Sequence, residues 1–299
     1  HVFGIDELRC AENANAMYDQ IEAQLAQSEF RPRALFDRFD IELLAPTDGA
    51  LDDLRWHQQI AESDWCGRVI TTYRPDAVTD PYQKGFVQNV TELGKLANED
   101  TQSWSGYLNA HLKRRAYFKA HGATATDHGH PSAHTENLTP AEAEALYAKV
   151  LAGTHSAQEA EVFRGQVLTE MAKMSLEDGL TMQIHAGSRR NHSASDNDQY
   201  GHDKGIDIPG PNAYVTALRP LLDAVGMEPG LTIIMFTLDE TAYSRELAPL
   251  AGVYPALKLG PPWWFFDSYE GIKRFREATT ETCGFYNTVG FNDDTRAFC

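Results

Sequence analysis

Seven short apolar, β-branched runs punctuate this chain, and each ends in a cluster of small polar or charged residues. The runs are Ile41–Ala45, Arg68–Thr72, Ala123–Thr126, Leu180–Ile184, Leu231–Thr237, Ala256–Leu259 and Gly284–Phe291. Polar residues that follow parallel strands, with helices between the strands, are typical of a (β/α)8 TIM-type barrel, whose functional site lies at the carboxyl ends of the strands. The pattern therefore predicts an α/β fold in which seven of the eight barrel strands are recognisable.

The segments between the runs have helical spacing of their apolar residues. The predicted helices are Glu12–Gln27, one that starts at Pro32, Leu51–Glu62, Tyr82–Asn98, Trp104–His121, Pro140–Leu151 and Gln158–Asp178. We expect residues 1–40 to form a helical segment that packs outside the barrel, and the barrel itself to occupy residues 41–299. The polar stretch Asn191–Pro211 predicts a long loop over one face, and long ordered loops are often functional.

The composition excludes two classes of partner. A formal net charge of −17 repels polyanions, so neither nucleic acid nor an anionic membrane surface is expected, and no apolar run reaches the 18 residues of a membrane span. The four cysteines show no CxxC spacing, which favours reduced thiols in the cytoplasm over a disulfide or zinc framework. The chain starts at His1 and stops at Cys299, just after a polar cluster, so we expect both ends to be cut.

Asp294 and Arg296 are the sharpest candidate pair. Residues two apart on a strand point to the same face, so both side chains are predicted to reach the mouth of the barrel. A carboxylate there binds a metal ion or moves a proton, and the neighbouring guanidinium holds an oxyanion. The alternative is a surface ion pair after the last strand.

Arg74 and His185 each stand at a predicted strand end. Arg74 lies in Tyr73-Arg74-Pro75-Asp76 and has the forked geometry that binds a substrate carboxylate, although it could instead pair with Asp76. His185 precedes Gly187-Ser188-Arg189-Arg190-Asn191, whose backbone amides and two arginines suit an anionic ligand. A structural, hydrogen-bonded histidine is the alternative interpretation of His185.

Three further clusters carry weaker signals. The segment Asp127-His128-Gly129-His130 has His-x-His spacing, which is compatible with metal ligation or with a turn before Pro131. Trp263 and Trp264 follow a Pro-Pro pair and predict an aromatic wall for the apolar face of a sugar ring, or ordinary core. The acidic pair Asp239-Glu240 is as compatible with a solvated strand end as with a catalytic role.

Taken in order, these segments resemble one family. The most specific are Tyr73-Arg74-Pro75-Asp76, Thr126-Asp127-His128, Gln183 to Asn191, Trp263-Trp264-Phe265 and Asp294-x-Arg296. They resemble uronate isomerase (glucuronate isomerase), a divergent branch of the amidohydrolase-like superfamily with a metal-dependent hydrolase-like barrel. The resemblance runs from Phe3 to Phe298.

The resemblance implies interconversion of aldo- and keto-hexuronates, for example D-glucuronate with D-fructuronate and D-galacturonate with D-tagaturonate. In that reaction a proton moves from C2 to C1 through an enediol(ate). Asp294 would sit at one divalent metal ion, zinc or manganese, and carry the proton, while Arg296 would steady the enediolate or orient Asp294. The residues that would contact the hexuronate are Arg74, His185, Arg189, Asn191, Trp263 and Trp264. Assembly into a homo-oligomer stays open.

The chain departs from the family pattern at both ends. In the family a His-x-His pair on the first strand also holds the metal, followed by a His-Tyr-type element, and neither is present ahead of residue 41. Asp294 alone does not make a zinc site, which needs about three protein ligands. We therefore expect a barrel that lacks its first strand and its final closing helix.

Two other functions remain open from the sequence. One is a metal-dependent hydrolase of the amidohydrolase type that uses the same strand-end aspartate to activate water, although several arginines at the mouth do not suit an amide or purine substrate. The other is a non-catalytic fragment without a complete metal site.

Overall fold

A parallel β-sheet forms the centre of the molecule in the computed structural model, which describes residues 2–290. Six strands pair in the order β1-β2-β3-β4-β7-β8, and every neighbouring pair is parallel. These strands are β1 (Thr47–Gly49), β2 (Thr72–Arg74), β3 (Ala125–His130), β4 (Thr181–Ala186), β7 (Ile233–Thr237) and β8 (Leu257–Leu259). A separate antiparallel ribbon joins β5 (Ser188–Arg189) and β6 (Ile208–Pro209).

Helices connect the strands. They are α1 (Ala14–Leu25), α2 (Pro32–Arg38), α3 (Arg55–Ala61), α4 (Asp76–Thr79), α5 (Phe86–Ala97), α6 (Trp104–Ala120), α7 (Pro140–Leu151), α8 (Ala157–Asp178), α9 (Ala194–Tyr200), α10 (Tyr214–Ala217), α11 (Arg219–Val225), α12 (Ala248–Val253) and α13 (Tyr269–Cys283). A π-helical turn, Tyr243–Leu247, precedes α12. Parallel strands joined through helices confirm the predicted α/β class of a TIM-type barrel.

The core lies between the sheet and the helical layer. Met182, Ile184 and Met235 from the central strands and Phe118 and Leu168 from α6 and α8 are all buried. Parallel strands are covered on both faces, which explains their apolar, β-branched runs. Those runs are the pattern from which the strands were predicted.

The helix predictions are confirmed to within a few residues where start signals are strong. Helix α7 starts at Pro140 as predicted, because Thr139 accepts the backbone N–H of Glu142 and Glu142 accepts that of Thr139. Helix α8 has the same capping box at Ser156. It ends at Asp178 and is capped by Gly179, whose φ of +75° favours glycine. Helix α5 starts at Phe86 rather than at the predicted Tyr82.

The central strands extend further toward their carboxyl ends than predicted. Strand β3 runs through Asp127, His128 and His130, and β4 runs through His185, whereas the apolar runs stopped at Thr126 and Ile184. Hydrophobicity marks a strand only where its side chains are covered by apolar neighbours. The polar residues therefore belong to the strands themselves and are held by the ladder.

The first and last predicted strands are wrong in their placement. Only Leu44 of the first run forms a parallel bridge, to Val69, and the strand proper is Thr47–Gly49. Pro46 has no N–H to donate, so the ladder is interrupted there. In the last run the described residues form a 3-10 turn, Phe285–Asn287, and a single bridge from Thr288 to Leu259.

The periphery differs from the prediction in detail. The stretch predicted as the loop Asn191–Pro211 contains α9 and pairs with β5 through Ile208 and Pro209. Helix α1 buries none of its residues, so the division at residue 40 stays a prediction. Among the helices of residues 2–290, none combines the length and hydropathy that crossing a bilayer requires.

Candidate active site

Three polar side chains converge at the carboxyl ends of β2, β3 and β4: those of Arg74, Asp127 and His185. The buried carboxylate of Asp127 lies at the centre: its Oδ1 is 2.5 Å from His185 Nδ1, and its Oδ2 is 3.1 Å from Arg74 Nη1. Arg74 also donates from Nε to Asp76 Oδ2 at 2.8 Å. The guanidinium of Arg74 and the ring of His185 are therefore fixed by one shared acid.

The strand register brings these residues together. Tyr73 pairs with Thr126, so the residues that follow them, Arg74 and Asp127, lie side by side. Gly129 pairs with His185, two residues beyond the pairing of Asp127 with Gln183. Because side chains two apart on a strand share a face, Asp127 and His185 point into the same space.

The electrostatics favour an ionised Asp127. Burial by itself raises the pKa of Asp127, but the interaction with His185, including their hydrogen bond, and the positive charge of Arg74 outweigh it and hold that pKa below its ordinary range. An ionised carboxylate only accepts hydrogen bonds, so Nδ1 of His185 is the donor. The other ring nitrogen, Nε2, is then the one that can meet a ligand hydroxyl.

Aromatic rings wall this cluster on the β7–β8 side. Phe236 of β7 stacks on His185 with 4.1 Å between ring centroids, and Trp263 meets the same ring edge-on at 4.8 Å. Trp264 lies 4.7 Å from Trp263, and the Arg190 guanidinium covers Trp264 at 4.9 Å. A half-buried indole pair beside a charged cluster suits the apolar face and the polar groups of a sugar acid.

The predicted site residues Arg189 and Asn191 flank Arg190, whose guanidinium covers Trp264. Arg189 is exposed and pairs in the ribbon with Ile208. Asn191 adopts a left-handed φ of 53°, and its backbone N–H donates to Asp207 Oδ1 at 2.8 Å. Its side-chain amide meets His202 at 2.9 Å, so Asn191 is engaged within the loop.

Two of the predicted residues fall outside the described part of the chain. Asp294 and Arg296 lie beyond residue 290, so their predicted roles stay predictions. Of the clusters with weaker signals, Asp239 closes a turn by accepting the N–H of Thr241 at 2.9 Å. Glu240 pairs with Arg274 at 2.5 Å, away from the central cluster.

The His-x-His segment of β3 is part of the core. His128 Nε2 lies 3.0 Å from Thr126 Oγ1, and burial lowers the pKa of both His128 and His130. Their ring centroids are 6.3 Å apart. Within residues 2–290 no three histidine, cysteine or acidic side chains come together in a way that could hold a metal ion.

The sequence did not single out Asp127 as the centre of the site. It was considered only as a metal ligand beside His128, because its partners are distant in the chain. Phe236 was missed, since it looked like any other apolar strand residue. The one usable signal is position: Asp127 and Phe236 both stand near the carboxyl ends of predicted strands, where barrel sites lie.

Comparisons with known proteins identify the family of this chain. A model of the family described as glucuronate isomerase matches residues 1–299. The chain belongs to the glucuronate isomerase family. A uronate isomerase of Rhizobium meliloti (strain 1021) is 63% identical over 297 residues, which cover 99% of this chain and 63% of that protein. A uronate isomerase of Mesorhizobium japonicum is 61% identical over 298 residues, which cover 100% of this chain and 64% of that protein.

Solved structures of the glucuronate isomerase family share the fold. The crystal structure of glucuronate isomerase from Caulobacter crescentus superposes with a TM-score of 0.93 at 57% identity, covering 100% of this chain and 62% of that chain. Uronate isomerase from Thermotoga maritima gives a TM-score of 0.87 at 26% identity, with 97% and 63% covered. The chain thus spans somewhat less than two thirds of the length of these relatives.

Proposed function

We propose that this chain supplies most of the active site of a uronate isomerase that interconverts aldo- and keto-hexuronates. The observation that carries the proposal is the cluster of Arg74, Asp127 and His185 at the carboxyl edge of the sheet, in a chain that matches the glucuronate isomerase family over its whole length. Residues 41–299 would form the barrel, and residues 1–40 would pack outside it.

The substrate class follows from the charges at the edge of the sheet. A hexuronate carries one carboxylate and a row of hydroxyl groups. The Arg74 guanidinium is held by two acids, yet it has five N–H donors and keeps some of them for a substrate carboxylate. Arg189 would add positive charge from the ribbon, Asn191 would border the same face, and Trp263 and Trp264 would cover the apolar face of the sugar chain.

The reaction moves one proton along the sugar chain. The C2–H bond breaks, its electron pair forms the C1–C2 double bond, and the C1 carbonyl oxygen takes the negative charge of the enediolate. A proton is then added at C1, and the proton of the C2 hydroxyl passes to the C1 oxygen, which leaves a hydroxyl group at C1 and the ketone at C2. His185, oriented by Asp127, would hold the hydroxyl groups, Asp294 would carry the proton, and Arg296 would stabilise the enediolate.

A divalent metal ion would polarise the carbonyl and lower the barrier to proton loss at C2. The described residues do not fit such an ion, because no three donor side chains among them converge, and the central carboxylate of Asp127 is already shared by His185 and Arg74. Of the residues considered, only Asp294 would contact the metal ion, and the proton transfer is assigned to side chains alone.

The hydrolase alternative is less well supported. The family match and the relatives at 63% and 61% identity are isomerases by name. A partly exposed arginine near two indole rings also suits a sugar acid better than an uncharged amide.

The test is an isomerase assay on the full-length protein that carries this chain. D-glucuronate and D-galacturonate are each incubated with the protein in D2O, and the products are followed by NMR. We expect the ketouronate to form, with its proton at C1 arriving from C2 or from solvent. The absence of ketose from both uronates, together with hydrolysis of an amide substrate, would overturn the proposal in favour of the hydrolase.

A metal titration accompanies the assay. The protein is stripped with a chelator and titrated with zinc or manganese while uptake is measured by mass spectrometry. A complete site takes up about one divalent ion tightly. No uptake with full isomerase activity would remove the metal assignment and leave the isomerase standing.

A further inference from the structure

The carboxylate of Asp76 joins two strands at the site. Asp76 begins helix α4, two residues after Arg74. It accepts a hydrogen bond from Arg74 Nε at 2.8 Å and from the backbone N–H of Gly129, with its two oxygens 3.1 and 3.2 Å from that nitrogen. The acid therefore ties the Arg74 side chain to the backbone of β3.

Gly129 leaves the space that the guanidinium of Arg74 occupies. A Cβ placed on Gly129 would lie 2.3 Å from Arg74 Nη2 and 2.8 Å from Asp76 Oδ2, both far closer than van der Waals contact allows. The φ of Gly129 is not positive, so the glycine is needed for room and not for backbone conformation. Any larger residue at this position would displace the Arg74 guanidinium from its place over Gly129 of β3.

The three nitrogens of the guanidinium thus have different surroundings. Nε donates to Asp76, Nη1 lies against Asp127, and Nη2 lies over Gly129. Burial works against the charged form of Arg74, yet Asp76 and Asp127 together hold its pKa above the ordinary value. The side chain is therefore charged and held at Nε and Nη1, while Nη2 makes no hydrogen bond within residues 2–290.

We infer that Asp76 and Gly129 are positioning residues for the proposed isomerase. Together they form the Arg74 socket, defined as the Asp76 carboxylate and the open surface over Gly129, which holds the guanidinium so that its remaining donors face the substrate carboxylate. The inference rests on the proposed function, because the socket acts through a contact between Arg74 and a hexuronate. It goes further in saying what fixes the geometry of that contact.

A purely structural role for Asp76 predicts something different. If Asp76 only tied β2 to β3, its replacement would lower the free energy of unfolding. Any effect of that replacement on binding would then be the same with Arg74 present and with Arg74 removed. A residue that works through Arg74 loses its effect on binding once Arg74 is removed. A double-mutant cycle separates the two roles.

The experiment uses two orthogonal changes in the full-length protein. Asp76→Asn removes the charge with almost no change in shape, and Gly129→Ala displaces the guanidinium with no change in charge. We expect each to raise KM for the uronate about tenfold, the size of one charge-assisted hydrogen bond, with a smaller change in kcat. In an Arg74→Met background neither substitution should raise KM further.

A binding measurement covers variants too slow to assay. D-glucarate keeps the carboxylate and the hydroxyl row but has no aldehyde to isomerise, so its dissociation constant is measured by calorimetry for each single and double variant. The matched controls are Gly49→Ala, where an added Cβ meets nothing within 4 Å although Gly49 pairs with Arg74 in the sheet, and Asp223→Asn in the exposed pair with Arg219. Both controls should bind like the parent protein.

Each outcome assigns the failure. If the parent protein isomerises hexuronates and Arg74→Met is impaired while Asp76→Asn and Gly129→Ala behave like the parent, the socket is wrong and the proposed function stands. If Asp76→Asn weakens binding equally with and without Arg74, its role is structural and the inference is overturned. If the parent neither isomerises hexuronates nor binds D-glucarate, the proposed function itself fails.

Discussion

Two arginines in this protein pair with aspartates but have different surroundings. Arg115 of α6 is fully buried and grips Asp178 with two nitrogens, at 2.7 and 3.0 Å. Its remaining contacts are to Ser175 at 2.9 Å and to the sulfur of Met171 at 3.7 Å. Arg74 at the sheet edge is 31% exposed and also pairs with aspartates, but it keeps donors without such partners.

The difference separates structure from function. A guanidinium whose three nitrogens all hydrogen-bond to protein atoms has little left to offer a ligand, and its removal damages the fold. One that keeps a nitrogen without such a bond and is partly exposed is ready to bind an anion. Arg115 lies on helix α6 against Asp178 of α8, whereas Arg74 lies at the carboxyl end of β2.

The histidines follow the same contrast. His111 is buried next to Tyr73, with its Nδ1 2.7 Å from the phenol oxygen, and burial lowers the pKa of His111 to about 3. His185 is 18% exposed, and its ring is oriented by Asp127. A buried neutral histidine completes the core, whereas an oriented and accessible one can reach a substrate.

Arg115→Met should have the largest effect on stability. Removing one partner of a buried ion pair is expected to lower the free energy of unfolding by about 3 kcal/mol, because Asp178 and Ser175 lose their donors. Urea unfolding followed by circular dichroism measures this change. An unchanged unfolding midpoint would break the structural half of the comparison, and KM of the folded fraction should stay at the parent value.

Arg74→Met should have the converse effect. Without the guanidinium donors of Arg74, kcat/KM for the uronate is expected to fall about a hundredfold, the cost of truncating one member of a charge pair. The fold should survive, since Asp127 keeps His185 and Asp76 keeps the N–H of Gly129. Steady-state kinetics and a melting curve on the same sample test both statements; unchanged turnover would remove Arg74 from the site.

Acid should destabilise the protein through its buried histidines. The folded-state pKa of His111 lies near 3 and its ordinary value is 6.5, so the unfolded chain takes up a proton that the folded chain does not. Stability is therefore full above pH 6.5 and falls as the pH drops toward 3, by up to about 1.4 kcal/mol per pH unit for each such histidine. His128 and His130 have the same sign, because burial lowers their pKa values as well.

Urea unfolding at a series of pH values between 7.5 and 4 measures this slope. His111→Gln, which keeps a hydrogen-bonding group near Tyr73, should reduce the slope by about one proton. A slope equal to that of the parent protein would show that His111 does not titrate with unfolding. Asp127 does not confuse the measurement, since its lowered pKa places its own loss of stability at more acid pH.

Most of the scaffold was predictable, and the reason is local. The start of helix α7 was placed correctly because Thr139, Pro140 and Glu142 form a start signal within four residues. The strands were located but cut short at their carboxyl ends, because hydrophobicity stops where the site begins. The strand bounds were therefore least reliable at Asp127 and His185, where the chemistry lies.

The sequence by itself determined the parallel α/β fold and the family, and it placed Arg74 and His185 at strand ends. These conclusions depend on runs and motifs that neighbouring residues define. Only the tertiary structure decided that Asp127 joins the two, that Gly129 makes room for a guanidinium, and that Arg115 belongs to the core. Those facts depend on distances between residues more than 50 positions apart in the chain, which strand register sets and local sequence does not encode.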